Sequence, residues 1–159
     1  MIIMKRYVSS AVAIIAMLLS VMMLDACSAP TPEESLKQMI EEANKECPTN
    51  IDHVTTLKQI KLDGDYVTYV CEIDETQLEM DTMIGQRAIY EQNIRNTMAY
   101  QLTDNSANKE FFKLVIEAGK GLRHQYVGRR SGKDLVVDVP NSELKQMAAE
   151  NDKKAQSQD

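Results

Sequence analysis

The sequence predicts an α+β domain in which two β-hairpins form an antiparallel sheet of four strands, with helices packed on one face. Two observations favour this class. Two pairs of short runs alternate apolar and polar residues around a glycine-containing turn, and segments of helical periodicity flank each pair. Because a hairpin with one apolar face must bury that face, helices are expected to cover the sheet. The expected order is helix, strand, strand, helix, and it occurs twice.

The first helix is expected to begin at Thr31. Thr31 can serve as the N-cap, with Pro32 at the first helical position and Glu34 placed to complete a capping box. Pro48 is expected to end the helix. Apolar residues recur between these points at helical spacing along one stripe: Leu36, Met39, Ile40, Ala43 and Cys47.

The first hairpin is expected to join the strands Val54 to Leu62 and Asp65 to Ile73 through a turn at Asp63-Gly64, a dipeptide typical of two-residue hairpin loops. This turn would place Ile60 opposite Val67, which brings apolar residues together on one face.

The second hairpin is expected to join Leu122 to Arg129 and Lys133 to Val139 at Ser131-Gly132. It would place His124 opposite Val139, again with one mostly apolar face.

Helices are expected before and after the second hairpin. The longest pattern runs from Glu75 to Leu102, with Gly85 marking a kink or a close contact. A shorter helix is expected from Asn108 to Ala118, with Gly119 in the left-handed position that follows many helices. Asn141 is expected to cap a last short helix.

The N-terminal segment has the features of a secretory signal peptide. Lys5 and Arg6 give it a positive start, and Tyr7 to Leu24 then carries no charge. Within it, Ala11 to Leu19 is an unbroken apolar run of the length that signal peptides use.

The stretch Leu24-Asp25-Ala26-Cys27 resembles the lipobox of bacterial lipoproteins, in which a Leu, two mostly small residues and a Cys end the signal. The resemblance implies that Cys27 receives a diacylglyceryl group and becomes the mature N-terminus, anchored in the cell envelope. Asp25 departs from the pattern, which usually has Ala, Ser or Val there. The alternative is an uncleaved anchor helix, because an uncharged run of this length approaches the roughly 20 residues that span a bilayer. Ser28 stands where enteric lipoproteins of the inner membrane have Asp, which favours the outer membrane.

The chain therefore divides into a signal peptide (1–26), a lipidated N-terminus and spacer (27–31), one domain (32–150) and a disordered tail (151–159). Removing Lys5, Arg6 and Asp25 leaves 16 basic and 23 acidic residues, a net charge of −7. This balance argues against nucleic acid as a partner, since nucleic-acid binding calls for a basic surface. The absence of Trp and the presence of only two Phe predict an aliphatic core without an aromatic cage.

No motif predicts a reaction. The sequence lacks a P-loop, a nucleophile elbow and zinc-ligand spacing. His53 and His124 stand apart from other ligand-type residues and are expected to be structural or exposed. The sequence predicts no cofactor and no metal, and it favours a binding or interaction module over an enzyme. The alternatives are a lipid-tethered inhibitor of an envelope enzyme and a hydrolase with an unrecognised pair of carboxylates.

Cys47 and Cys71 are candidates for a disulfide. Both fall on expected core faces, in a compartment that permits such bonds, and a bridge would contribute about 3–4 kcal/mol. As separate buried thiols they would act as small apolar side chains. The sequence favours the separate thiols and leaves the bridge open.

Charge is distributed unevenly between the hairpins. Seven acidic residues and no Lys or Arg lie between Asp63 and Asp81, whereas five basic residues and no acid lie between Lys120 and Lys133. With His124 and Tyr126 pointing inward, four cations are expected to lie close together outside: Arg123, Arg129, Arg130 and Lys133. They either pair with the acidic first hairpin or form a patch that docks an anionic surface, such as phospholipid or another envelope protein.

The positions Asn44, Pro48 and Asp52, followed by a hairpin, resemble an Asn-x₃-Pro-x₃-Asp pattern in uncharacterised bacterial envelope proteins. The resemblance implies a small exported domain of the same kind and supplies no activity.

Overall fold

The computed structural model of the protein describes residues 29–104 and 106–156. The predicted signal peptide and Cys27 lie outside these residues. The elements within them are, in chain order, α1 (Pro32–Asn44), β1 (Thr49–Asn50), β2 (Thr55–Asp63), β3 (Tyr66–Ile73), α2 (Met80–Gly85), α3 (Arg87–Asp104), α4 (Ser106–Glu117), β4 (Gly121–Gly128), β5 (Asp134–Val139) and α5 (Asn141–Gln156).

The strands form one sheet in the order β1-β2-β3-β4-β5. β3 and β4 run parallel, with Val67 beside Leu122 and Tyr69 beside His124, while the other neighbouring strands are antiparallel. The prediction of a four-stranded antiparallel sheet is therefore wrong, although the class is α+β. Alternating residues indicate which face of a strand is buried, but not the direction of its neighbour. Here α2, α3 and α4 carry the chain back to the starting end of the sheet before β4 begins.

β1 is the strand that the sequence prediction misses. It has two residues, of which Thr49 lies opposite Leu57, and a strand this short leaves no alternating pattern. Farther along β2, the side chain of Asn44 forms the backbone hydrogen bonds that a neighbouring strand would otherwise form. Its Nδ2 donates to the oxygen of Ile60 and its Oδ1 accepts from the nitrogen of Ile60, both at 2.7 Å. Asn44 thus satisfies backbone groups that an edge would otherwise expose.

The other edge of the sheet is covered by arginines of α3. Arg87 donates to the oxygen of Val136 at 2.8 Å, and Arg95 donates to the oxygen of Asp138 at 3.3 Å. Arg95 also forms a 2.6 Å ion pair with Glu143 of α5. These contacts connect α3 to both β5 and α5.

Next to their turns, both hairpins pair in a register displaced by two residues from the predicted one. Ile60 lies opposite Tyr69 rather than Val67, and His124 lies opposite Val137 in the same displaced way. A displacement of two residues keeps every side chain on its own face, so both registers bring apolar residues together. The sequence pattern therefore leaves the register undecided and predicts the buried faces correctly next to the turns. Before Gln59 it is wrong, because a β-bulge between Leu57 and Gln59 buries Leu57 and leaves Lys58 exposed.

Local signals predict several helix ends and turns. Thr31 and Glu34 form the expected capping box, with the Glu34 nitrogen donating to the Thr31 hydroxyl at 3.2 Å. Gly119 follows α4 with φ of +72°, as expected. In the first hairpin the two loop residues are Gly64 and Asp65, because Gly64 (φ +56°) suits the first position of the loop.

The long helical pattern over 75–102 forms two helices rather than one. α2 ends at Gly85, where the sequence predicts a kink, and α3 begins two residues later. At the C-terminus, α5 extends to Gln156, so residues 151–156 of the predicted tail are helical.

One face of the sheet and the inner sides of the helices form the core. Leu36 of α1, Phe112 of α4 and Leu144 of α5 are fully buried in it. The strands contribute Leu57, Ile60, Val67, Tyr69, Cys71, Ile73, Leu122, Leu135, Val137 and Val139. These residues lie between Leu36 and Leu144, so the core of the described part of the chain belongs to the predicted domain 32–150.

A buried carboxylate holds the loop between β4 and β5. Oε2 of Glu75 accepts hydrogen bonds from the backbone nitrogens of Arg130 (2.6 Å) and Ser131 (2.7 Å), and Glu75 is only 8% exposed. Gly128 makes room for it, since a Cβ there would lie 2.7 Å from the carboxyl carbon. Hydrogen bonds from Ser131 hold the pKa of Glu75 below its usual value.

We expect Glu75→Gln to lower the urea midpoint of unfolding at neutral pH, because the amide gives weaker hydrogen bonds to the two nitrogens than a carboxylate does. The lowered pKa means that this stabilisation is present above the unfolded-state value of 4.5 and is lost as the pH falls through the folded-state value. Glu79→Gln is the control, because Glu79 is exposed and makes no capping hydrogen bond. Equal midpoints for both variants would contradict the role of Glu75.

Candidate ligand-binding cavity

A cavity of about 370 Å³ lies between the inner face of the sheet and α3. Tyr69, Cys71, His124 and Tyr126 form its floor on β3 and β4. Segments 51–55 and 77–78 also line the cavity, and their exposed side chains, His53 and Gln77, mark its opening to solvent. The wall on α3 is formed by Tyr90, Asn93, Ile94, Thr97, Met98 and Gln101.

The parallel pairing of β3 and β4 builds the aromatic floor. Tyr69 lies beside His124, and the two rings stack with centroids 5.1 Å apart. Tyr126 follows, with its ring 6.4 Å from His124 and 6.5 Å from Tyr90 of α3. The inward direction predicted for His124 and Tyr126 is confirmed. The prediction of a core without an aromatic cage is wrong, because tyrosines distant in sequence meet only in the folded sheet.

The wall residues of α3 follow helical spacing. Tyr90, Ile94, Thr97 and Gln101 recur at intervals of three and four residues, so they share one side of the helix. The sequence predicts a helical pattern over this part of the chain from its apolar residues, such as Ile94. It misses the polar ones, because polar residues within a helical pattern are expected to face solvent.

Two side chains around the cavity carry a polar atom that lacks a hydrogen-bond partner among the described residues. These atoms are Oε1 of Gln101 and Nδ1 of His124. Gln101 is only 4% exposed. An unsatisfied buried polar atom costs about 1–3 kcal/mol, and such atoms in native proteins call for an explanation. A bound molecule with hydrogen-bonding groups would provide one if the side chains adjust to meet it.

Burial keeps the floor uncharged at neutral pH. It raises the pKa values of Tyr69 and Tyr126 well above their usual range and that of Cys71 to about 12. Burial also lowers the pKa of His124 to about 4. All four side chains are therefore neutral at pH 7, and the floor presents phenol, thiol and imidazole groups.

Among the described residues that line the cavity, Asp52 is the one with a carboxylate side chain. Its Oδ1 accepts hydrogen bonds from the backbone nitrogens of Val54 and Thr55, both at 2.8 Å, and these bonds form a local turn. Exposed His53 lies beside it, so this turn is part of the opening. Asp52 thus combines a structural role with a place at the cavity wall.

The sequence-predicted cysteines are both free thiols. Cys71 is buried in the cavity floor, whereas Cys47 is half-buried after α1. Cys27, the predicted site of lipid attachment, lies outside the described residues.

Each cation of the predicted patch contacts an acidic residue of the same chain. Arg123 forms two hydrogen bonds with Asp138 (2.7 and 2.8 Å) and lies over the ring of Tyr66 at 4.4 Å. The other three contacts are Arg129 with the Glu72 carboxylate (3.0 Å), Arg130 with the Glu75 backbone oxygen (2.6 Å) and Lys133 with the Asp81 carboxylate (2.7 Å). All three of these partners belong to the acidic stretch 63–81, and Glu72 and Asp81 pair through their carboxylates, which is the internal pairing that the sequence allows. A docking role for the patch stays a prediction.

The Asn-x₃-Pro-x₃-Asp pattern is the sequence signal that comes nearest to the cavity. Asn44 binds the backbone of β2, and Asp52 forms the turn at the opening. The two residues thus flank and hold the segment that leads into the cavity wall at its opening. The floor itself leaves no local signal, because it depends on which strands are neighbours.

Among the described residues, no cluster of His, Cys, Asp or Glu is arranged to hold a metal ion. In the same part of the chain, no helix combines the length and the apolar character needed to cross a membrane.

The fold and the cavity define an α+β domain with a mixed sheet and a largely apolar internal site. No family model matches the chain, and no curated protein matches its sequence. A crystal structure from Pseudomonas aeruginosa, described as that of a "putative secreted protein", is similar with a TM-score of 0.52. The two chains are 11% identical, and the match covers 74% of this chain and 99% of the other. At this identity the similarity shows a shared fold alone.

Proposed function

We propose that the protein is a binding module that holds one small, mostly apolar molecule between its sheet and α3. The observation that carries this proposal is the cavity itself, which lies against three tyrosine rings and contains uncharged side chains on its floor. Ligand sites in proteins are mostly apolar cavities of roughly 300–1,000 Å³ with a few polar groups. Polar groups of this kind are Oε1 of Gln101 and Nδ1 of His124, which find no hydrogen-bond partner in the described part of the chain.

We also propose that this module works in the cell envelope, anchored through a lipid on Cys27 and held at the outer membrane. The lipobox-like stretch Leu24-Asp25-Ala26-Cys27 supports this location, and so does the short spacer before Thr31. Metabolic labelling with a lipid precursor tests it. The protein is expected to take up label and Cys27→Ala is expected not to, whereas equal labelling of both would contradict anchoring.

Filling the cavity is expected to abolish binding of an apolar probe. In the chain from residue 27 onward, with Cys27→Ser to prevent lipidation, N-phenyl-1-naphthylamine should gain fluorescence and saturate at one molecule per chain. Thr97→Phe should weaken this binding by roughly tenfold or more, since the larger side chain occupies the space between α3 and the floor. The measurement is a fluorescence titration.

Asn96→Phe is the matched control, because Asn96 is the exposed neighbour of Thr97 on α3 and does not line the cavity. It should bind the probe like the parent protein. Circular dichroism establishes that both variants are folded. The proposal fails if the parent shows no saturable binding, or if both phenylalanine variants bind equally well.

A further inference from the structure

We propose that the ligand is a lipophilic monocation, an ammonium-bearing molecule whose charge lies at Asp52 and whose apolar body lies over the tyrosines. This inference rests on the proposed function and deepens it, since it assigns a chemical class to the molecule in the cavity.

The charges around the cavity carry the argument. Among the described lining residues Asp52 is the acidic side chain, and neither Lys nor Arg occurs there. An anionic ligand would lose its hydration in an apolar space without gaining a cationic partner, which is costly. A cationic ligand would meet a carboxylate at the opening. The net charge of −6 over the whole sequence also raises the local concentration of cations.

Asp52 is held in place for this contact. Both backbone hydrogen bonds of the turn end on Oδ1, from Val54 and Thr55, and leave Oδ2 outside them. The carboxylate is half-buried and adjoins exposed His53 at the opening. An ammonium group entering here would therefore reach a carboxylate that is already oriented, which reduces the entropy lost on binding.

The tyrosines favour the same class of ligand. Burial is the main cause of the raised pKa values of Tyr90 and Tyr126, and the negative charge of Asp52 adds a smaller contribution to both. A cation over the face of a tyrosine is attracted by the negative charge of the ring face, and more strongly when water is excluded. The floor adds no competing positive charge at neutral pH, because burial keeps His124 in its neutral form.

Three probes of equal chain length test the inference: octylammonium, octanol and octanoate. Their binding to the unlipidated chain described above is measured by calorimetry at pH 7. We expect octylammonium to bind roughly tenfold or more tightly than octanoate, with octanol between them. Added salt should weaken the binding of octylammonium and leave that of octanol unchanged.

Asp52→Asn removes the charge and keeps the turn, because the amide oxygen of Asn can accept the same two backbone hydrogen bonds. This variant should bind octylammonium about tenfold more weakly than the parent does, and its affinity for octanol should stay within about twofold of the parent's. Asp65→Asn is the control, since it makes the same charge change at an exposed hairpin loop away from the cavity.

The outcomes separate this inference from the proposed function. Binding of none of the three probes would contradict the cavity as a ligand site and overturn both. Binding of octanol with equal or tighter binding of octanoate would leave the site standing and overturn the cationic ligand. An unchanged affinity of Asp52→Asn for octylammonium would overturn it as well, independently of the comparison among probes.

Discussion

Lowering the pH from 6.5 to about 4 is expected to destabilise the protein by about 3 kcal/mol through His124 alone. Burial at the cavity floor holds the pKa of His124 at about 4, whereas the unfolded chain protonates it near 6.5. Between these values the unfolded state binds the additional proton, so stability falls as the pH falls. The contribution is fully present above 6.5 and is lost as the pH reaches the folded-state value.

Urea unfolding across this pH range measures the effect. At pH 7, His124→Gln should be as stable as the parent or less stable. As the pH is lowered, however, its free energy of unfolding should fall less steeply than that of the parent. The comparison of slopes isolates His124 from carboxylates such as Asp138, whose lowered pKa also makes stability fall in acid. His53→Gln makes the same substitution at an exposed position and serves as the comparison. Parallel slopes for His124→Gln and the parent would show that the imidazole is hydrated when folded.

Gly121→Ala is expected to destabilise the protein by about 1–3 kcal/mol, the usual cost of forcing an additional carbon into a packed site. A Cβ at Gly121 would lie 2.6 Å from the oxygen of Val139, 2.9 Å from the ring of Tyr66 and 3.0 Å from Cα of Pro140. Two of these atoms belong to backbone, which has little freedom to move. The contacts come from β3 and from the end of β5, so the substitution tests the neighbours of β4.

Gly85→Ala provides the matched comparison. Gly85 ends α2, and a Cβ there would meet no atom within 4 Å. This variant should be as stable as the parent or more stable by up to about 1 kcal/mol, since alanine favours helix. Chemical denaturation of the two variants under the same conditions measures their free energies of unfolding. If Gly121→Ala is as stable as Gly85→Ala, β4 does not lie between β3 and β5.

Both predictions concern β4 and its pairing with β3. Gly121 begins the strand that carries His124 and Tyr126, and its close contact with Tyr66 brings β4 against β3. Only in that arrangement does Tyr69 stack on His124 and complete the floor. A ligand site at this cavity therefore depends on the parallel pair of strands.

The predicted basic patch shows that a sequence gives the positions of charged residues but not the partners of their side chains. The uneven distribution of acids and bases is correctly recognised, and the alternation that points Arg123 outward is present in the structure. What each cation contacts depends on the neighbouring strand and the following loop. Arg129 binds Glu72 of β3, a partner 57 residues earlier in the chain. This pairing fits the acidic first hairpin as the partner, and binding to an anionic surface remains to be tested.

Local chemistry in the sequence by itself determined where elements begin, end and turn. Thr31 with Glu34 specifies a helix start, Gly119 a helix end, and alternation the buried faces of both hairpins next to their turns. These features depend on residues within about four positions of one another, so their energies are readable from the sequence.

Tertiary structure alone decided the order and direction of the strands, their register and the cavity. The parallel pairing of β3 with β4 joins residues such as Tyr69 and His124, which are 55 positions apart. An alternating pattern is unchanged when a neighbour reverses direction or moves by two residues, so it holds no information about these choices. Packing against α3 selects one arrangement among those that the pattern permits, and it is this arrangement that places Gln101, Asp52 and the tyrosines around one space.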